Sequence, residues 1–152
     1  MPEKPSTPHP DRELLRRYRE AGAAVQADAG NPLGHAMGLT VEYVDFTSGD
    51  VRLAFEPPAW LTQGSGVLQG GAVTAMLDFA MAYASLAVVP APAGVATTNL
   101  SVAFQRAAMP VRLVAIGQIE RAGRSMVFTR AELRQAADEK LVATATSTLV
   151  IV

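Results

Sequence analysis

Residues 63–89 read QGSGVLQGGAVTAMLDFAMAYASLAVV, and this stretch decides how the rest of the chain is arranged. Four glycines open it: Gly64, Gly66, Gly70 and Gly71. From residue 72 to 89 the stretch is apolar on nearly every helical face and carries one charged residue, Asp78. A helix that is apolar all round belongs in a core or a membrane, and a charge inside it needs a partner or a function. The stretch therefore predicts a long central helix with one carboxylate to explain.

A transmembrane helix is the first alternative, because the run approaches the roughly 20 residues that a bilayer span needs. A central Asp costs about 2.5–3.5 kcal/mol even on the lenient insertion scale. No Lys or Arg lies within the run or close to either end, so nothing sets an orientation. We therefore expect no membrane association and a helix that is wrapped by its own domain.

Composition excludes several classes of protein. The chain has 152 residues, the size of one domain, with 49% hydrophobic residues and a formal net charge of −1. This balance gives no basic surface for nucleic acid. The absence of cysteine rules out disulfides, thiolate metal sites and a Cys nucleophile, and two histidines make a His-rich metal centre implausible. The N-terminus lacks the apolar segment of a secretion signal, so we expect a cytoplasmic protein. We also expect neither a metal nor a cofactor.

The N-terminal third predicts a tail, a helix and a hairpin. Residues 1–10 are Pro-rich and polar, which predicts a disordered tail before one domain spanning 11–152. A helix is expected over about 11–29, with Asp11 as its N-cap, an Arg cluster on a solvated face and Gly30-Asn31-Pro32 at its end. Period-two alternation around Ser48-Gly49-Asp50 predicts a β-hairpin over 39–56.

Four strand-like segments follow the central helix, at 95–106, 111–123, 125–136 and 140–152. No helix separates them, so we expect an antiparallel sheet with these strands in meander order. An antiparallel sheet curved around one buried helix accounts for the whole pattern, which places the chain in the α+β class.

Gly70 and Gly71 stand where a loop turns into the helix. The N–H groups there have no intrahelical acceptor and lie at the positive end of the helix dipole. A developing oxyanion gains about 2.7–4 kcal/mol from one well-placed donor. A tight helix–strand crossing that tolerates no side chain explains the two glycines equally well.

Asp78 is either a structural carboxylate, bound to backbone amides or an Arg, or a functional one, and a lone acid in an apolar helix favours function. Gly70 and Asp78 are eight residues apart, so on one helix they lie about 12 Å apart along the axis. They cannot contact the same carbonyl group. If they cooperate, they come from two subunits whose helices run antiparallel, which predicts a homodimer with two interfacial sites.

The arrangement Gln63-x-x-Gly66-x-x-Gln69-Gly70-Gly71, with Asp78 beyond it, resembles the active-site pattern of hotdog-fold acyl-CoA thioesterases of the phenylacetate-pathway (PaaI-like) type. That pattern is Asn-x-x-Gly-x-x-His-Gly-Gly followed by an acid. The segments TTNLSVAFQRAAMP, IERAGRSMVFTRAEL and KLVATATSTLVIV resemble later strands of the same family. The similarity runs from about residue 33 to the C-terminus and implies a hotdog fold.

The resemblance also implies roles. Asp78 would be the general base or nucleophile, Gly70 of the opposing subunit would polarise the thioester carbonyl, Gln63 would orient substrate or water, and Thr97 would hold the attacking water. The acyl or coenzyme A path would be lined by Gln69, Gly71, Thr98, Asn99, Arg124 and Ser125. No cofactor is implied. The family implies an acyl-CoA substrate with a short, medium or aromatic acyl group, and exposed sheet faces favour pairing of dimers into a homotetramer.

Two departures from the family pattern bear on activity. Gln63 replaces Asn and keeps an amide donor and acceptor. Gln69 replaces His and cannot take up a proton, which leaves open a non-catalytic protein that binds acyl-CoA or another small ligand. A hotdog dehydratase is a third hypothesis, but it needs a catalytic His that this helix entrance lacks.

Other residues give weaker signals. His35 precedes the first strand and is more simply a packed or capping residue. Ser65 lacks the full Gly-x-Ser-x-Gly spacing and a triad His. The scattered arginines are typical of solvated strand edges: Arg106, Arg112, Arg121 and Arg124. Met76 and Met81 are expected in the core, and the pocket wall is expected to include Trp60, Phe79, Met81 and Tyr83.

Overall fold

The computed structural model describes residues 9–152, and its elements follow the predicted order with two additions near the N-terminus. In chain order they are α1 Pro10–Ala21, β1 Val25–Gln26, α2 Pro32–Ala36, β2 Thr40–Val44, β3 Val51–Phe55, α3 Gly70–Val88, β4 Val95–Phe104, β5 Leu113–Ala122, β6 Met126–Gln135 and β7 Leu141–Ile151. The additions are β1 and α2. The predicted hairpin is confirmed as β2 and β3, and the predicted central helix as α3.

The seven strands form one antiparallel sheet in the order β1-β2-β3-β5-β6-β7-β4. Helix α3 packs against strands β3 to β7, the arrangement that the hotdog resemblance implies. The length and composition of α3 would suffice to cross a membrane, but 56% of its apolar window is buried inside the protein's own domain. Helix α3 is therefore the core helix of this fold.

The predicted meander is wrong for one strand. Strands β5, β6 and β7 do pair in succession, but β4 pairs with β7 at the far edge and β5 pairs with β3 in the middle. The residues of β5 explain its place, because Leu113, Val114 and Ala115 are fully or almost fully buried. Strand β4 carries a mostly exposed run of polar side chains (Thr97, Thr98, Asn99 and Ser101), which suits an edge position.

The predicted N-terminal helix is too long. Helix α1 ends at Ala21 because Gly22 adopts the left-handed conformation, φ 61°, and donates its N–H to the Tyr18 carbonyl at 3.0 Å. Asp11 is not its N-cap, since the helix begins at Pro10 after His9. Of the predicted tail over 1–10, only His9 and Pro10 belong to the described residues.

Residues 30–32 do not end a helix but begin one. The Asn31 side chain accepts a hydrogen bond from the Gly34 N–H at 3.0 Å, and Pro32 occupies the first turn of α2. Arg12, expected on a solvated face, instead donates to Val89 O at the end of α3, at 2.9 Å, and to Ala93 O in the loop that follows, at 2.6 Å. Partial burial lowers the pKa of Arg12 from its ordinary value. This contact attaches α1 to the negative end of the α3 dipole.

The core lies between α3 and the sheet. Met76, Leu77, Met81 and Tyr83 of α3 are fully buried, which confirms the expectation for the two methionines. At Gly117 of β5 the sheet comes so close to α3 that an added Cβ would lie against the Ala80 carbonyl, nearer than van der Waals contact allows. The absent side chain at Gly117 therefore lets the sheet close over the helix backbone.

We expect Gly117→Ala to lower the free energy of unfolding by at least about 1–3 kcal/mol, because the added methyl group meets rigid backbone rather than a movable side chain. Thermal and denaturant unfolding measure the effect. Gly64→Ala is the matched control, since a Cβ there meets no atom within 4 Å. Equal stability of the two variants would contradict the close helix–sheet approach.

Candidate active site

One side of α3 is left uncovered by the sheet. Its incompletely buried residues include Gly71, Thr74, Ala75, Asp78 and Ala82. At 100° per residue these positions fall on one face of the helix, which we call the open stripe. Four of its five residues are Gly, Ala or Thr, so the stripe presents little side-chain bulk around a single carboxylate.

Asp78 on the open stripe accepts a hydrogen bond from the Thr97 hydroxyl at 2.8 Å. Thr97 lies at an irregularity of β4, where the pairing with β7 shifts register between Thr97 and Asn99. Among the ion pairs formed within residues 9–152, none includes Asp78. The structural alternative of an Arg-paired carboxylate is therefore not what the described chain shows.

The loop before α3 is held by its own backbone. Gln63 N–H donates to Val67 O at 2.8 Å, and Gly66, with φ 81°, makes the turn between them. Gln69 N–H donates to Leu61 O at 2.9 Å and so fixes the residue that precedes the helix. Both glutamine side chains thus start from a fixed backbone.

A cavity of about 500 Å³ opens beside this loop. Its lining combines polar groups at the helix entrance with an apolar wall: Leu33, Met37, Trp60, Leu61, Thr62, Gln63, Gln69, Gly71, Ala72 and Ala75. Among residues 9–152, no charged side chain lines this cavity. The cavity therefore suits an uncharged, largely apolar group whose polar end lies near the two glutamines.

The helix entrance supplies N–H donors without a helical acceptor. Gln69 is the residue before α3, so Gly70 and Gly71 are its first two residues. An added Cβ at Gly71 would meet no atom within 4 Å, whereas one at Gly70 would contact the Phe104 ring at 3.4 Å. A tight helix–strand crossing therefore does not explain Gly71. At Gly70 an added Cβ would make only an ordinary van der Waals contact.

The structure separates the predicted site residues into two groups within one chain. Gln63, Gln69 and Gly71 share the cavity at the start of α3. Asp78 and Thr97 meet further along the helix, about 12 Å from Gly70 by the helical rise.

The residues predicted to line the acyl or coenzyme A path, apart from Gln69 and Gly71, lie on or near β4, the strand that carries Thr97. The Thr98 hydroxyl donates to Thr148 O at 2.9 Å, and Asn99 is exposed on β4. Arg124 and Ser125 form the turn before β6, whose first residue pairs with Val150 of β7, next to Ala96 of β4. Arg124 is exposed there, while Ser125 O accepts a hydrogen bond from Ile151 N–H.

The expected pocket wall is only partly right. Trp60 does line the cavity, but Met81 and Tyr83 are fully buried in the core. Phe79 packs between the rings of Phe55 and Tyr83 rather than on the cavity. For Met81 and Tyr83 the error comes from helix register, since both side chains point into the core rather than toward the cavity.

Of the weaker candidates, His35 contacts the Ala27 carbonyl through Nδ1 at 3.2 Å and is otherwise exposed on α2, outside the cavity lining. Arg112, expected at a solvated strand edge, instead precedes the central strand β5 and forms ion pairs with Glu42 and Glu56. The apolar wall from α2, with Leu33 and Met37, was missed. The Asn-Pro pair at 31–32 is the signal that predicts α2, because Asn caps helices and Pro favours their first turn.

Comparison with known proteins identifies the family of this fold. The thioesterase superfamily model matches residues 65–142, more than half of the chain. A phenylacetic acid degradation-related protein from Ralstonia eutropha JMP134 has a similar structure, with TM-score 0.78, 31% identity and coverage of 90% of this chain and 98% of that one. No curated protein sequence matches the chain significantly.

Two further solved structures are similar. A thioesterase family protein from Silicibacter pomeroyi has TM-score 0.77, 25% identity and coverage of 91% and 98% of the two chains. The PaaI protein of the E. coli phenylacetic acid degradation operon has TM-score 0.73 and 19% identity, with 97% and 96% covered, and shows the shared fold. The chain belongs to the thioesterase superfamily, and its class is that of a thioester hydrolase.

Removal of the Thr97 hydroxyl tests the Asp78 contact. A hydrogen bond to a charged group is worth about 1.5–3 kcal/mol, so we expect Thr97→Val to lower kcat/KM for a thioester about 10- to 100-fold. Thr97→Ser keeps the hydroxyl and should retain most activity. A serine variant as impaired as the valine variant would show that the methyl group, not the hydroxyl, matters.

Proposed function

We propose that this protein hydrolyses acyl-CoA thioesters to a free acid and coenzyme A, with a short, medium or aromatic acyl group. The observation that carries the proposal is the carboxylate of Asp78: it stands on the open stripe of α3, has no cationic partner in the described chain, and is oriented by Thr97. A partly exposed, oriented carboxylate on a core helix is typical of catalysis rather than of folding.

The complete site needs a second copy of the chain. Two α3 helices packed antiparallel along their open stripes would place Gly70 of each chain near Asp78 of the other. The small residues of the stripe allow the helices to approach closely. Strand β4 supports this arrangement, because it is an exposed edge of ten residues and a second β4 would satisfy its unpaired backbone groups.

Pairing of two such dimers into a tetramer is a further part of the proposal. Met126 and Phe128 are exposed on β6, 36% and 38% respectively, and give the sheet an apolar patch that a second dimer would cover.

The chemistry follows from the two groups. The Thr97 hydroxyl donates a hydrogen bond to Asp78. The lone pairs of the Thr97 oxygen are therefore free to accept a hydrogen bond from the attacking water. Asp78 takes a proton from that water as the oxygen adds to the thioester carbon. The oxyanion is stabilised by the N–H of the partner's Gly70. When the C–S bond breaks, the sulfur leaves with the proton held by Asp78.

Direct attack of the Asp78 carboxylate on the carbonyl carbon is the alternative route. It forms a mixed anhydride and releases the thiolate, and water then hydrolyses the anhydride. A single turnover in ¹⁸O-labelled water tests for this route. Water that attacks the Asp78 carbonyl of the anhydride leaves an unlabelled Asp78 oxygen in the acid product, whereas the general-base route always places ¹⁸O there. Neither route uses a metal or cofactor.

The glutamines complete the proposed site. Gln63 and Gln69 both line the cavity at the helix entrance, where their amides can orient the thioester or the water. Gln69 supplies a neutral donor in place of the family's His, so the proposed chemistry assigns no proton transfer to this position. Thr98, Asn99, Arg124 and Ser125 are proposed to line the coenzyme A path, with Arg124 facing its phosphates. Cytoplasmic action follows, because acyl-CoA is found there.

A binding protein without catalysis is the second candidate, and Gln69 in place of His is the observation that favours it. A thiol-release assay with short, long and aromatic acyl-CoAs separates the two. Thiol release supports the thioesterase, and tight acyl-CoA binding without release supports the binding protein.

Asp78→Asn tests the catalytic carboxylate. The amide keeps the size and accepts the Thr97 hydrogen bond but takes no proton, so we expect kcat to fall about 10²–10⁴-fold, with folding and assembly retained. Steady-state kinetics and light scattering measure both. Unchanged turnover would remove Asp78 from the mechanism.

Gly70→Pro tests the backbone donor directly. Proline is favoured at the first position of a helix, and Gln69 has the extended conformation that proline requires before it, with φ −60° and ψ 139°. The substitution therefore deletes one N–H and keeps α3. We expect kcat to fall about 10²–10³-fold, as for loss of one oxyanion donor.

Gly70→Ala is the matched control, because it adds a Cβ at ordinary contact distance from Phe104 and keeps the N–H. Comparable losses in the proline and alanine variants would assign the effect to packing and exclude the N–H from the mechanism.

A further inference from the structure

Part of the apolar wall of the cavity comes from α2, a helix of five residues. Leu33 and Met37 from α2 and its C-terminal end line the cavity opposite Ala72 and Ala75 of α3. A helix this short does not hold its own position in water. Whatever fixes α2 against α3 therefore also fixes the width of the cavity.

The start of α2 is fixed by the Asn31 side chain. Its Oδ1 accepts a hydrogen bond from Gly34 N–H at 3.0 Å, and its backbone carbonyl accepts one from His35 N–H at 2.8 Å. A Cβ added at Gly34 would lie 2.9 Å from Asn31 Oδ1, so the amide is seated directly against the helix backbone.

The other end of the same amide enters a polar cluster between three helices. Asn31 Nδ2 donates to the Asp11 carboxylate of α1 and lies 3.3 Å from the Tyr83 hydroxyl of α3. The Tyr83 hydroxyl donates to the same Asp11 oxygen at 2.9 Å. Asp11, Asn31 and Tyr83, which we call the three-helix cluster, thus join α1, α2 and α3 through one carboxylate oxygen.

Tyr83 makes this cluster a fixed point. Its side chain is fully buried, its ring packs edge-on against Phe79, and its hydroxyl is bonded within the cluster. Burial, reinforced by the nearby Asp11 charge, raises the pKa of Tyr83 well above its ordinary value, so the hydroxyl remains a proton donor. The cluster therefore ties α2 to the same rigid helix that carries Asp78.

We propose that Asp11, Asn31 and Tyr83 are positioning residues that set the width of the acyl cavity through α2 and thereby determine which acyl chains fit. The inference rests on the proposed function in one respect, that the cavity receives the acyl group. It assigns the selection of acyl chains to residues that touch no substrate and that lie, except for Tyr83, before the segment matched by the family model.

The cavity carries its own reporter. Trp60 is the one tryptophan of the chain and stands on the cavity rim with 69% of its surface exposed. An alkyl chain that enters the cavity must reduce the contact of this indole with water. Binding of S-octyl-CoA, a thioether that cannot be hydrolysed, is therefore measurable as a blue shift of Trp60 fluorescence.

Two variants loosen the cluster in different ways. Tyr83→Phe removes the hydroxyl and keeps the buried ring, and Asn31→Ala removes both the cap of α2 and the link to Asp11. Arg17→Ala is the matched control, because Arg17 joins α1 to Asp28 at 2.7 Å without reaching α2. Thermal unfolding identifies the variants that fold. Kinetics and the Trp60 titration are then carried out on the folded variants, at a temperature well below their Tm.

The selection of acyl chains is read as the ratio of kcat/KM for octanoyl-CoA to that for acetyl-CoA. Because one methylene in a well-fitting pocket is worth roughly 10–200-fold, we expect each cluster variant to change this ratio about tenfold or more and to leave kcat for acetyl-CoA nearly unchanged. We also expect S-octyl-CoA to bind more weakly in the Trp60 titration. Arg17→Ala should match the wild type in both.

The outcomes separate this inference from the proposed function. A wild type that releases no thiol but whose S-octyl-CoA binding weakens in the cluster variants supports the cavity assignment and contradicts hydrolysis. A wild type that hydrolyses acyl-CoA while folded cluster variants keep the same ratio overturns the positioning role and leaves hydrolysis intact. A ratio that shifts equally in Arg17→Ala also overturns it, because general loosening of α1 would then suffice.

Discussion

The structure depends on burying a helix that is apolar on every side except at one carboxylate. One sheet covers most of α3, and the Gly117–Ala80 approach shows how closely the two are packed. The side that remains, the open stripe, contains the one charged residue of the helix. Burial of the rest of α3 thus determines where Asp78 faces, and the edge strand β4 supplies the hydroxyl that orients it.

The rise of an α-helix then limits what one chain can do. A backbone donor at the first residue of α3 and an acid eight residues later cannot act on one carbonyl, because they lie about 12 Å apart. In the proposed site each chain therefore contributes two half-sites, with the cavity and its glutamines at the start of α3 and Asp78 with Thr97 near the middle of the helix. The proposed antiparallel dimer brings the cavity half-site of one chain to the Asp78 half-site of the other. Catalysis would therefore require the dimer.

Much of the fold and of the helix entrance is predictable from sequence, because these features depend on the order of neighbouring residues. The apolar run gives α3, alternation gives the hairpin, and the Gly-rich loop with Asp78 points to the helix entrance. The strand order is not local: β4 and β5 read alike, and only burial of Leu113 and Val114 shows which is central. The end of α1 at Gly22 was missed because alanines beyond it continue a helical pattern.

The cavity wall was the hardest part to predict. Leu33 and Met37 come from a five-residue helix and its C-terminal end, a segment too short for a periodicity signal. The register of α3 turns Met81 and Tyr83 into the core rather than toward a ligand. The cluster of Asp11, Asn31 and Tyr83 joins residues up to 72 positions apart, which no window of sequence reveals.

Complementation between two inactive variants tests the shared site most directly. Gly70→Pro and Asp78→Asn chains, co-expressed and purified together, form heterodimers in which one of the two sites has both functional groups. If the site is shared between subunits, the mixture should regain roughly a quarter of wild-type activity, since random pairing gives half heterodimers with one intact site each. Activity that stays at the level of the separate variants, with heterodimers verified by mass spectrometry, would contradict a site built from two chains.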